Sequence, residues 1–317
     1  MKFLVTGCAG FIGGHTCEAL LSSENDVIGL DSLTYASRSE NIDKLRLRRG
    51  FSFHKNDICD FSSIKKIVED EKISCIINFA AETHVDNSIK DVKPFISSNI
   101  EGVSNLIDVV KATGAALVHI STDEVYGVPE PGQTFTEESN LNPRNPYSAT
   151  KAAADHLILS AINTFGISAK IIRPSNNFGP GQHDEKFIPT ILRSVLGDSK
   201  IPVYGDGNQK REWTYVKDTA FAIAEFCKLG HLRDSRVVFN LSSEDQFTNL
   251  EIIKRICQIL EKDPEDFIEF VKDRPGHDRE YKIKNSILSR KTDLSISLNQ
   301  TVDYYLENSR KTKRNKL

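Results

Sequence analysis

The 317-residue chain is expected to be an α/β protein, a doubly wound parallel sheet with a smaller α/β domain C-terminal to it. Short apolar runs alternate with helical stretches through the first half, which is the pattern of a parallel sheet covered on both faces. A glycine-rich turn separates the first such run from its helix. After Pro174 the texture changes to loops and shorter elements. The first domain is expected to take residues 1–174 plus about 213–242, and the second 175–212 plus about 243–317.

Lys2–Thr6 reads as a strand, followed by Gly7, Gly10 and Gly13 and a helix through Leu21. Gly7 permits the tight turn, Gly10 a close approach to a pyrophosphate, and Gly13 close helix–strand packing. The helix N-terminus offers free N–H groups and a positive dipole end. This places a Rossmann-like unit at the N-terminus. Asp26–Asp31 is a second strand ending in an acid, about 20 residues past the glycines, where a carboxylate holds ribose hydroxyls and repels a 2′-phosphate. NAD is therefore favoured over NADP, with Arg38 the cation close enough to argue the other way; a plain turn residue at Asp31 is the alternative.

Phe51–Ile58 is a third strand, with Asp57 placed beside an adenine, and Phe61–Glu71 a helix. Cys75–Ala81 is apolar throughout, as a strand buried on both faces requires, and small Ala80 and Ala81 admit a cofactor. Val92–Thr113 reads as one long helix. Leu117–Ile120 is the next buried strand, and Ser121–Glu124 its polar C-terminal end, where parallel sheets bind ligands. Asp123 and Glu124 are adjacent carboxylates there. Like charges so close resist ionising together, so one suits an acid and the other a base. A solvated loop capped by Asp123 fits the same residues.

Asn145 and Pro146 suit the N-cap and first position of a helix through Phe165. Tyr147 and Lys151 then share one face, and an ammonium beside a phenol favours the phenolate. An ordinary amphipathic helix would show the same spacing. Ala169–Arg173 is a strand. Beyond it, Ser175–Gln182 reads as loop, Phe187–Leu196 as helix, and Pro202–Tyr204 as strand before a turn. Arg211–Val216 follows as strand, Lys217–Leu229 as a helix returning to the first domain, and Thr248–Leu260 as helix. Asp273–Arg279 is a charged turn able to hold a diphosphate, and the basic Arg310–Lys316 tail reads as solvated and disordered.

Net charge is −3, so no global basic field recruits nucleic acid, and no apolar run approaches the length of a membrane span. The apolar start of the chain is too short for a signal peptide. Six cysteines at 8, 17, 59, 75, 227 and 257 form no C-x-x-C pair and read as reduced, buried thiols of a cytoplasmic protein. No metal site is expected.

Taken together, Thr6–Gly13, Asp31–Tyr35, Ala80–Asp86, Ser121–Gly127, Tyr147–Lys151, Ser175–Asn177, Glu185–Pro189 and Asp273–Asp278 resemble the extended short-chain dehydrogenase/reductase superfamily. Within it the chain is similar to the nucleotide-sugar 4,6-dehydratases that act on dTDP-glucose or UDP-glucose. Asp123 carries that distinction: related decarboxylases usually have serine there, and 4-epimerases lack both acids. The resemblance implies a catalytic group of Thr122, Asp123, Glu124, Tyr147 and Lys151. For NAD it implies Gly7, Gly10, Phe11, Ile12, Gly13, Asp31, Ser32, Leu33, Thr34, Asp57, Ile58, Phe79, Ala80, Ala81, Thr83, Ser98 and Asn177, with Tyr147 and Lys151. For the sugar nucleotide it implies Thr83, Thr122, Asn176, Lys186, Phe187, Pro202, Val203, Tyr204, Arg211, Asn249, Asp273, Arg274 and His277.

The resemblance further implies a homodimer paired through Val92–Thr113 and Tyr147–Phe165, and a place in deoxysugar biosynthesis. The implied chemistry oxidises C4 with NAD, eliminates water across C5 and C6, and reduces C6. The segment Arg290–Gln300 is shorter than in that family and lacks its Leu-Gly-Trp sequence. The other readings are a 4-epimerase or decarboxylase of the same fold, or a non-catalytic NAD-binding regulator.

A cycle that regenerates its cofactor has no need to release it. Purified protein, once denatured, is expected to yield NAD to the supernatant; NADP there would overturn the reading of Asp31.

Overall fold

The computed structural model describes residues 1–228, 230–273 and 278–314, with 233 and 311–314 described through their backbone alone. In chain order the first half contains β1 (Lys2–Thr6), α1 (Phe11–Ser22), β2 (Asp26–Asp31), α2 (Ser39–Arg46), β3 (Phe51–Lys55), α3 (Phe61–Asp70) and β4 (Cys75–Asn78). Next come α4 (Val85–Lys90), α5 (Lys93–Ile96), α6 (Gly102–Thr113), β5 (Ala116–Ile120), α7 (Pro146–Phe165) and β6 (Ala169–Pro174). The remainder is β7 (Asn176–Phe178), α8 (Phe187–Leu196), β8 (Ile201–Tyr204), β9 (Lys210–Tyr215), α9 (Val216–Lys228), β10 (Val238–Leu241), β11 (Gln246–Thr248), α10 (Asn249–Ile259), β12 (Ile268–Val271) and α11 (Leu294–Arg314).

Seven strands form one sheet in the order β10-β6-β5-β4-β1-β2-β3, and every neighbouring pair is parallel. This is the doubly wound sheet the alternation predicts. One face packs Phe3, Val5, Val27, Ile77 and Val118 against α1 and α9; the other packs Leu4, Ile28, Ile76 and Leu117 against α3, α6 and α7. β5 is buried at every position. A further core gathers α8, α10 and α11 around β8 and β9, with Ile191, Leu192, Trp213, Ile253 and Leu298 at its centre.

Several elements depart from expectation. The 92–113 helix is interrupted by a π turn at Ser97–Glu101. Its Asn99 side chain accepts from Glu82 N–H at 2.9 Å and donates to Glu82 carbonyl at 3.0 Å and Thr150 Oγ1 at 2.9 Å. The extra backbone residue of a π turn is what turns that amide inward. Asn176–Phe178, expected as loop, is a short strand paired in parallel with β9. Arg310–Arg314, expected as disordered tail, continues α11, because Leu294, Leu298 and Val302 bury one face of that helix in the further core. Five cysteines are buried free thiols, while Cys59 is exposed. Among the described residues no helix is long and apolar enough to cross a membrane, and no cluster could hold a metal ion.

The loop after β5 is fixed to the sheet by Tyr126. Its phenol accepts from Arg173 Nη1 and donates to Asn240 Oδ1, each at 2.8 Å, and Arg173 also pairs with Asp155 at 2.9 Å. All four side chains are buried. Tyr126→Phe strands one guanidinium N–H and one amide oxygen, and is expected to cost about 1–3 kcal/mol in chemical denaturation. An unfolding midpoint equal to the parent's would show that the hydroxyl carries no net stability.

Candidate active site

The C-terminal ends of the sheet strands surround a cavity of about 330 Å³. Gly7 opens it. Its φ of +68° is a left-handed conformation, and a Cβ there would lie 2.8 Å from Ala80 N. A Cβ on Gly13 would lie 2.3 Å from the Gly7 carbonyl oxygen, so only glycine lets α1 start this close to β1. No side chain caps the N-terminus of α1 at Gly10. Its N–H groups and dipole face the cavity, as an anion site requires.

Asp31 closes one end. Its carboxylate accepts from Ala9 N–H at 3.0 Å, Leu33 N–H at 2.9 Å and Ser37 Oγ at 2.7 Å. A carboxylate offers about four lone-pair sites, so one remains for a ligand hydroxyl. The turn role therefore leaves room for a ligand. Arg38 donates to Gln182 carbonyl at 2.8 Å and Asp184 at 3.0 Å, which commits the cation that would otherwise welcome a 2′-phosphate.

At the other end, β5 runs into Thr122, which caps a short 3₁₀ turn over Asp123–Tyr126. Its Oγ1 accepts from Glu124 N–H at 3.3 Å and donates to Asp123 Oδ1 at 3.2 Å. Asp123 Oδ2 is buried with no partner. Burial pushes the Asp123 carboxyl well above the usual carboxylate range, and Glu124 and Glu212 push it the same way. The solvated-loop alternative is excluded: Asp123 is 3% exposed.

Asn145 caps α7 by accepting from Ser148 N–H at 2.8 Å, as its sequence position predicts. With its amide it also donates to Glu124 Oε2 at 3.1 Å. One side chain thus starts the helix that carries Tyr147 and fixes the neighbouring acid. Tyr147 and Lys151 both line the cavity. The expected phenolate is not favoured here. Burial raises the Tyr147 phenol, and Glu124 adds to the rise. Lys151 sits one turn further on, and its ammonium donates to Ile120 carbonyl at 2.8 Å and to His119 Nε2 at 3.1 Å. Burial lowers Lys151 to about 8.

Of the residues implied for NAD, Gly7, Gly10, Phe11, Ile12, Gly13, Asp31, Ser32, Thr34, Asp57, Ile58, Phe79, Ala80, Ala81, Thr83, Ser98, Tyr147, Lys151 and Asn177 line the cavity. Leu33 does not: it sits at φ +61° with its side chain 38% exposed, and only its N–H serves the site by holding Asp31. Of the sugar-nucleotide set, Thr83, Thr122, Asn176 and Lys186 line it. Phe187, Pro202, Val203, Tyr204, Arg211, Asn249 and Asp273 lie outside, around β8, β9 and the start of α10. Val203 is buried in the further core, and Phe187 packs its ring 6.0 Å from that of Trp213. Arg211 donates to Asp278 carbonyl at 2.7 Å and stacks over Tyr281. Arg274 and His277 lie outside the described residues.

Three groups escaped the sequence reading. Glu212 is buried, accepts from Ser242 Oγ at 2.8 Å, and is raised to about 7 chiefly by burial. His119 and Asn78 are buried polar side chains in strands that read as purely apolar. Only the polar residue inside each run marked them.

A model of the NAD dependent epimerase/dehydratase family matches residues 3–241. A low-salt glycan biosynthesis protein, Agl12 of Haloferax volcanii, is 42% identical, with 96% of this chain and 99% of the relative covered. A dTDP-glucose 4,6-dehydratase of Haemophilus influenzae is 37% identical over 98% of this chain and 99% of the relative. The crystal structure of DesIV, a dTDP-glucose 4,6-dehydratase from Streptomyces venezuelae solved with NAD bound, superposes with a TM-score of 0.90 at 34% identity, covering 97% and 98% of the two chains. Glycine turn, acid-ended second strand and Tyr-x-x-x-Lys helix lie together in the matched region, and the chain belongs to the NAD dependent epimerase/dehydratase family.

Proposed function

We propose that the chain is a nucleotide-sugar 4,6-dehydratase, converting dTDP-glucose or UDP-glucose to the 4-keto-6-deoxy sugar nucleotide. The observation that carries this is Asp123: a buried carboxyl whose Oδ2 has no partner within the chain and whose pKa is pushed well up, chiefly by burial, beside a second acid lining the cavity. An epimerase has no water to expel and no use for such an acid. The dehydratase relatives support the same reading.

The cavity fits NAD. Gly7 and Gly13 leave the backbone of the turn bare, and the buried oxygens Asn177 Oδ1 and Gln182 Oε1 have no partner within the chain. NAD bound there supplies a hydride acceptor for C4 and a hydride donor for C6. Gly10, Phe11 and Ile12 would hold its diphosphate through the start of α1, and Asp31 a ribose hydroxyl.

The chain's own residues move the protons. Tyr147 takes the proton of the C4 hydroxyl, with Thr122 hydrogen-bonded to the same oxygen. Its raised phenol makes the Lys151 charge necessary, because a cation must offset the burial that opposes a phenolate. With a ketone at C4, the C5 hydrogen becomes acidic, and Glu124, held by Asn145, removes it. Asp123 gives its proton to the departing C6 hydroxyl. Each such transfer is typically worth about 10²–10⁴-fold.

The first core with β10 would form the NAD domain. Residues 175–212 with about 243–317 would form the sugar-nucleotide domain, where Arg211, Asn249 and Asp273 await the base and diphosphate. A homodimer through α5–α6 and α7 is supported by exposed Ile96, Leu157 and Phe165 on those helices and by Val92 just before α5.

Asp123→Asn keeps the shape and removes the proton to be donated. Product formation is expected to fall by about 10²–10⁴-fold at saturating substrate; parent-like turnover would remove Asp123 as the acid. The whole cycle is tested with deuterium at C4 of the glucose nucleotide. The label is expected at C6 of the product, within the same molecule, with one solvent deuterium gained at C5 in heavy water. Label retained at C4 would overturn the dehydratase reading.

A further inference from the structure

His119 is fully buried one residue from the C-terminal end of β5, paired in register with Asn78 of β4 and Ile171 of β6. Its Nε2 lies 3.1 Å from the Lys151 ammonium and its Nδ1 3.1 Å from the Asn78 amide. An ammonium only donates, so Nε2 must accept. Burial, reinforced by Lys151, pushes His119 well below the usual imidazole range, so the ring is neutral. A neutral ring that accepts at Nε2 carries its proton on Nδ1. That proton needs an acceptor, so Asn78 must turn its amide oxygen toward His119 and its NH₂ toward Thr6 Oγ1, 2.6 Å away. The two ends of an amide have nearly the same shape, and only this orientation gives the Nδ1 proton an acceptor. Thr6 Oγ1 also accepts from Ala80 N–H at 3.3 Å. A line of hydrogen bonds therefore runs from the cavity wall at Ala80 through Thr6, Asn78 and His119 to Lys151.

We propose that His119 is a positioning residue for the reaction: as the neutral, Nδ1-protonated tautomer it accepts from Lys151 and aims that ammonium at the cavity. The Ile120 carbonyl takes a second of the three ammonium hydrogens, which leaves the third for the cavity that Lys151 lines with Tyr147. The inference rests on Lys151 acting as the charged partner of Tyr147 in the proposed function. Charged and titratable groups around the ammonium are Asp155 and Tyr147 on its own helix, His119 of β5, Asp123 and Glu124 beyond β5, and Arg173 of β6, which is paired with Asp155. Asp155 favours the charged lysine, while burial opposes it and brings it to about 8. The ammonium is thus close to losing its proton, and a lost acceptor tips it.

The first experiment is the pH profile of kcat. His119→Asn retains a polar group toward Asn78 but cannot reach Lys151. Its high-pH limb is expected to move down by about one pH unit, the scale of one hydrogen bond to a charged group, with KM for the nucleotide sugar unchanged. His119→Gln reaches the Nε2 position with an amide oxygen and is expected to restore the parent limb. Lys151→Met separates the two readings. If it keeps parent activity, the role given to Lys151 fails and the inference fails with it. If it is inactive while His119→Asn keeps the parent limb, only the inference is overturned.

The second experiment uses the parent protein. Imidazole nitrogen-15 spectra, with the His119 signal assigned by its absence from His119→Gln, are expected to show a neutral Nδ1-protonated ring between about pH 6 and 9. A ring protonated at Nε2, or an imidazolium, would overturn the inference even where His119→Asn fails to fold.

Discussion

A carboxyl group held in the interior with one oxygen lacking a partner within the chain is the constraint around which the site is built. Removing a polar oxygen from water without compensation costs about 1–3 kcal/mol by mutational measures, and a bare carboxylate costs far more. Burial drives the Asp123 pKa upward, and the acids nearby push the same way. Thr122 satisfies one oxygen only. Glu212 and Glu124 add negative charge from two sides. Tyr126, Arg173 and Asn240 fasten the loop so that it cannot swing the acid out to water.

The sheet and the glycine turn were legible because their causes are local. Periodicity marks strand and helix, and a glycine at the bend marks a place where a Cβ will not fit. The pair of acids was legible as adjacency; the burial that does most to raise Asp123 was not. What escaped was set by distance along the chain. Glu212 stands about ninety residues from Asp123, in a strand whose pairing the sequence does not reveal. β7 and β10 are short strands, and α11 carries too much charge to look like a packed helix. Their burial is decided by partners from other segments.

Tyr147 and Lys151 teach a narrower lesson. Four-residue spacing places two side chains on one face, but not necessarily in contact. Lysine has a long stem and three donors, and here the open end of β5 offers it a carbonyl and an imidazole at closer reach. Burial beside acids raises the Tyr147 phenol, so a neighbouring cation is needed to bring it back down. The basicity a sequence pattern suggests is therefore a property of the assembled site, and of the charge that Lys151 can bring to it.

The segment 179–186 is tied from two directions. Arg38, just past the second strand, donates to the Gln182 carbonyl, and Tyr305 of α11 donates to the same oxygen at 2.7 Å. Gln182 and His183 meanwhile line the cavity. One carbonyl thus joins the nucleotide side of the molecule to its last helix, across more than a hundred residues of chain. Lifting that segment away from the cavity would break both of these hydrogen bonds together, so the cavity wall and the outer part of α11 share one anchor. The last helix thus helps to hold in place a cavity that the first strands enclose.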